Sequence, residues 1–100
     1  MSNHTKGPWE YLPANELDCG AIATKTSWIC DFVEDPTPEN ARLIAAAPEL
    51  LLFAEQCAGI FNGYEIYHTN KGDETKAARN RCYKDMAESV IRKAKGKAND

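Results

Sequence analysis

Pro48 interrupts the longest apolar run of the chain, and it constrains the fold more than any other residue. From Ala41 to Ala47 the residues are strong helix formers apart from Ile44. A proline at position 48 removes one helical hydrogen bond and disfavours α geometry at Ala47. The expectation is a kink, or two abutting helices, inside residues 35–61. Upstream, Thr37 suits an N-cap, Pro38 the first helical position, and Glu39 the positive end of the helix dipole. Downstream, a second segment runs to Phe61. Asn62-Gly63 reads as its stop, because both residues tolerate left-handed geometry.

At about 100° per residue, Leu50, Leu51, Ala54, Cys57, Ala58 and Phe61 share one face, and Phe53 and Ile60 widen it. So broad a face suits burial against both a sheet and another helix, and it equally suits a homodimer. Glu49, Glu55, Gln56 and Gly59 form the polar side. Leu52 falls among them and reads as an ordinary exposed leucine, with a partner contact as the sharper alternative.

The residues before this segment read as short strands. Gly7 to Leu12 enters a first strand, with Trp9 and Tyr11 on one face. Residues 13–18 form a turn region, and Cys19 to Lys25 is a second strand. Trp28 to Val33 is β-branched and aromatic and makes the strongest strand of the chain. Trp28, Cys30 and Phe32 point one way, and Ile29, Asp31 and Val33 the other. The fold class is therefore α+β: a small antiparallel β-meander of about three strands packed against a kinked helix pair and a C-terminal helix. One hundred residues suit a single domain, with 1–6 and 97–100 as flexible tails.

Tyr64 to Asn70 reads mainly as a loop, with a short edge strand as the alternative. Asp73 suits the N-cap of a last helix, roughly 74–96. Its Tyr83, Met86, Ala87, Val90 and Ala94 lie on one side, with Cys82 and Ile91 at the edges. Arg81, Lys84, Arg92 and Lys95 collect on another side and are the candidate nucleic-acid contacts. Asp85 and Glu88 share that sector, so the i,i+4 pairs Arg81/Asp85, Lys84/Glu88 and Glu88/Arg92 favour a solvated, ion-paired face instead.

Charge is divided unevenly. Residues 1–70 carry ten acidic and three basic side chains, and residues 71–100 five acidic and nine basic, for the total of −3. Bulk nucleic-acid binders are usually basic overall, which weighs mildly against that class. Cys19, Cys30, Cys57 and Cys82 lie far apart, with no Cys-x-x-Cys and no zinc-finger spacing to His4 or His68. They read as buried, reduced thiols. Phosphate-loop, dinucleotide, zincin and nucleophile-elbow motifs are all missing, so no catalytic, cofactor or metal site is expected and the chain is read as a non-enzyme. The polar first residues and the lack of a long apolar stretch point to the cytoplasm of the cell that makes it.

Two stretches carry a resemblance: His4-Thr-Lys-Gly-Pro-Trp9, and Asn40-Ala-Arg-Leu-Ile-Ala-Ala-Ala-Pro-Glu-Leu-Leu51. Together they resemble a group of small proteins encoded by tailed bacteriophages and prophages, and Ead-like early-region proteins show a similar pattern. Lys6 stands where the group usually has proline, and the likeness spans about half of the chain. It implies a phage accessory protein and no catalytic residues. The acidic first seventy residues add the expectation of action by protein–protein binding, with a host or phage protein as partner, because an acidic face can compete for a basic groove. Inhibition of a host defence or nucleic-acid-handling factor is the mode expected. A DNA- or RNA-binding regulator using the last helix is the alternative.

Overall fold

The computed structural model describes residues 4–34 and 36–96. Elements follow in the order β1 (Glu10–Leu12), β2 (Ala21–Ala23), β3 (Trp28–Asp31), α1 (Pro38–Ala45), α2 (Ala47–Asn70) and α3 (Glu74–Ala94). Three antiparallel strands and three helices make an α+β fold, as the alternation and the helix formers predict. The chain divides into two compact units, Met1–Leu50 and Leu51–Asp100.

The first unit is the meander with α1. Its strand order is β1-β2-β3, with Tyr11 opposite Ile22 and Ile22 opposite Cys30. A register shift falls between Ile22 and Ala23. As the central strand, β2 is buried throughout, and Ile22 is the largest fully buried side chain among the described residues. The strands are shorter than the runs that announce them: the fully exposed Val33 falls outside β3. Trp28, which opens β3, is 61% exposed, and its indole Nε1 donates to Asp31 Oδ1 at 2.7 Å. Beyond β3, the Phe32 ring meets Tyr11 edge-on at 6.3 Å.

Thr37 caps α1 as expected: its hydroxyl accepts from the Asn40 backbone N–H at 3.2 Å, and Pro38 opens the helix. This helix packs on β1 and β2. Ala41 is fully buried, and so small a side chain lets the helix approach the sheet closely. The helix then breaks at Ala46, two residues before Pro48. Gly7 explains why this corner is specified at both ends of the unit. A Cβ there would stand 2.8 Å from Glu49 Oε1 and 3.1 Å from Pro48 Cβ. The two stretches that carry the phage resemblance therefore touch. Next along the chain, the Gly7-Pro8 bond is cis, and Trp9 is half-buried with its Nε1 donating to the Thr5 carbonyl.

Unit two is built from α2 and α3. Here the expected stop at Asn62-Gly63 is corrected, as is the loop at Tyr64 to Asn70: α2 runs unbroken through both to Asn70. Gly63 has nothing within 4 Å of its would-be Cβ, so it lies on an open side of the helix. A glycine there costs about 1 kcal/mol of helix propensity. The apolar periodicity, which continues beyond Gly63 through Tyr64 and Tyr67, outweighs it. The true stop is Gly72, in left-handed geometry at φ 78°. Asp73 N–H donates to the His68 carbonyl at 2.9 Å and Gly72 N–H to Thr69 at 3.1 Å, closing a Schellman motif. Asp73 at once caps α3, accepting from the Lys76 N–H at 3.1 Å.

Of the expected tails, 1–3 and 97–100 lie outside the described residues; residues 4–6 are exposed and outside helix and strand. The cysteine reading needs correction. Cys19 precedes β2 and is exposed, Cys82 is exposed, and Cys30 and Cys57 are half-buried on elements covered on one side only. Among the described residues no single helix is long and apolar enough to cross a membrane.

Candidate functional site

Residues half-buried or better mark the seam of the second unit. Those that repeat at helical spacing on the facing sides are Ala54, Ala58, Phe61 and Glu65 on α2 and Ala77, Lys84, Ala87 and Ile91 on α3, with Leu51, Glu55, Cys57, His68, Asn80, Ser89 and Arg92 half-buried beside them. Cross-helix partners move in opposite directions along the chain: Arg81 and Lys84 meet Glu65, and Lys95 meets Glu55. The pair is thus an antiparallel hairpin, and four of its eight seam residues are alanine.

One side of the seam is ionic, and Glu65 is its centre. Arg81 Nε donates to Glu65 Oε2 at 2.7 Å, and Lys84 Nζ donates to Oε1 at 2.7 Å. Arg81 also reaches Glu74 Oε1 at 3.4 Å, and Lys84 reaches Asn62 Oδ1 at 3.4 Å. Only 16% of the Glu65 side chain is exposed, so its bond to Lys84 is partly shielded from water, while the bonds of Arg81 lie at the solvent edge. The Lys84 ammonium, and then the Arg81 guanidinium, hold the Glu65 carboxyl below the usual glutamate range. In turn Glu65 raises both cations above their ordinary values. Farther along, Lys95 Nζ donates to Glu55 Oε2 at 2.9 Å.

This arrangement places the four candidate phosphate contacts. Arg81, Lys84 and Lys95 all turn toward glutamates of α2. Arg92 lines a shallow groove with Glu55, Ala58, Glu88 and Ile91. The ion pairs that hold Arg81 and Lys84 run across the seam, where the sequence pattern pointed to Asp85 and Glu88 on the same helix. Glu88 and Asp85 act on Lys84 only as more distant charges. Glu65 itself was hidden by the loop reading of residues 64–70. The signal that finds it is the spacing 54, 58, 61, 65, which keeps the seam period past Gly63. Leu52 is 56% exposed and lies off the seam.

The other side of the seam is apolar and open. Phe53, Ile60, Tyr64 and Tyr67 on α2 are all more than half exposed, and so are Met86 and Val90 on α3. Tyr67 carries the Lys71 ammonium over its ring at 5.7 Å. Among the described residues no group of three or more His, Cys, Asp or Glu side chains could hold a metal ion.

No curated protein and no solved structure matches the chain significantly. The family model described as Salmonella phage P22 protein Y8K6 matches residues 1–98. Matched over nearly its whole length, the chain belongs to this family of phage-encoded proteins.

Proposed function

We propose that the chain is a non-enzymatic phage accessory protein that works in the bacterial cytoplasm by binding another protein. Its partner, on this reading, is a host factor with a basic groove, such as one that handles nucleic acid or defends against phage. What supports it is the division of charge between the two units. Three of the four candidate cations, Arg81, Lys84 and Lys95, are engaged by Glu55 and Glu65, whereas the acidic side chains of the first unit, among them Glu10, Glu16, Asp18, Glu34 and Glu39, face solvent. An acidic surface of this kind competes for a site that otherwise takes phosphate. Binding of nucleic acid through α3 would first have to break charged hydrogen bonds at 2.7–2.9 Å.

Affinity purification from bacterial lysate, with and without nuclease, separates the two readings. A stoichiometric protein that survives nuclease and is lost on joint Glu16→Lys and Asp18→Lys substitution supports protein binding. Capture that vanishes with nuclease, together with DNA affinity that falls steeply with salt, would transfer the function to α3.

A further inference from the structure

The open side of the hairpin has a period and a size of its own. On α2 the stripe is Phe53, Cys57, Ile60, Tyr64 and Tyr67, spaced four, three, four, three. Tyr83, Met86 and Val90 on α3 repeat the three–four spacing. Each stripe lies about 100° from its helix's seam residues, in the same rotational sense. Because the helices are antiparallel, that sense carries both stripes to one side of the hairpin. Contact between the Phe61 and Tyr83 rings at 5.3 Å bridges them at the seam. A hydrophobic repeat near 3.5 residues is the pattern that other helices fill, knobs into holes.

Seven of these side chains are 44–65% exposed: Phe53, Ile60, Tyr64, Tyr67, Tyr83, Met86 and Val90. At roughly 150–250 Å² for a whole aromatic side chain and somewhat less for an aliphatic one, they leave about 700 Å² open. The largest apolar patch of an ordinary monomer is smaller, about 300–600 Å², and a stable interface typically takes about 800 Å² from each partner.

Size and symmetry identify the occupant. The carboxylates of Glu55 and Glu65 are engaged on the ionic side of the seam, which leaves the striped side of α2 apolar. A two-fold axis along the helices places α2 of one copy over α3 of the other, so that each stripe meets its counterpart and the open face covers itself. We infer that the protein is a homodimer whose two α2–α3 hairpins stack through these stripes into a four-helix bundle.

Sedimentation of the full chain under reducing conditions tests this directly. The expected result is a particle of twice the chain mass at micromolar concentration. Ile60→Glu and Val90→Glu should each reduce it to the chain mass with helical circular dichroism retained, while Leu52→Glu, off the stripe, should leave the dimer intact. Should either glutamate variant misfold, Ile60→Ala is the second probe. The residue occurs twice in a two-fold interface, so its loss should raise the dissociation constant at least about tenfold. A wild-type chain of single mass overturns the inference, and so does a dimer indifferent to Ile60 and Val90. So would a monomer that floats with anionic vesicles, which assigns the face to a membrane.

Discussion

Gly7 is the residue on which the first unit turns, and the reason is space. Any side chain there must share volume with Pro48 Cβ, 3.1 Å away, and with the end of Glu49. The glutamate can swing aside, but the proline ring is fixed by its own backbone. Gly7→Ala should therefore destabilise the chain by about 1 kcal/mol, read as a lower midpoint in urea with an unchanged slope. An unchanged midpoint would mean that the corner yields freely. At this scale the sequence was legible wherever one residue has one task. Thr37 and Asp73 cap the helices they were expected to cap, and Pro38 opens α1, because a helix start is set locally. Gly63 misled, because glycine reports only that left-handed geometry is allowed. Whether it is used depends on Tyr64, Glu65 and Tyr67, whose contribution is not local.

Among the elements, the α2–α3 pair carries the pH response. The Glu65 carboxyl ionises more readily in the folded hairpin than in an unfolded chain, because Lys84 and Arg81 hydrogen-bond to it. The unfolded state therefore binds the extra proton, and the stabilisation is present at neutral pH. It should fade as pH falls below the ordinary glutamate range and through the depressed value of Glu65. For Lys84 and Arg81, raised by the same contacts, the stabilisation is lost only as pH climbs above their ordinary ranges. Glu65→Gln should lower the melting temperature at neutral pH and flatten its acid decline. A variant that tracks the parent at every pH would remove Glu65 from this role. The elements themselves were legible in kind, since α1 and the three strands stand where period and composition put them. The ion pairs were not, because i,i+4 bookkeeping sees only one helix while these carboxylates sit on the neighbouring one.

For the whole molecule, the sequence disclosed the α+β class and the phage origin, the latter through residues that meet at Gly7 and Pro48. It concealed which apolar residues are inside. The broad face of residues 50–61 divides between two surfaces: Ala54, Ala58 and Phe61 go to the seam, and Phe53 and Ile60 stay in the open stripe. Periodicity locates an apolar face without saying what lies against it. The two units also divide the labour proposed above, with acidic recognition in the first and self-association in the second.

A seam built on alanine holds little hydrophobic area, and α2 contains no fully buried residue at all. In the dimer inferred above a second molecule covers the open side of this helix, which would make its survival a matter of dosage. In a dilute population the hairpin opens often and Tyr64 and Tyr67 are accessible to chymotrypsin-like cleavage; in a concentrated one, mass action keeps them covered. Proteolytic half-life should lengthen as protein concentration rises, and a half-life independent of concentration would argue that each chain protects itself. On that inference, how long the protein lasts is set by how much of it has been made.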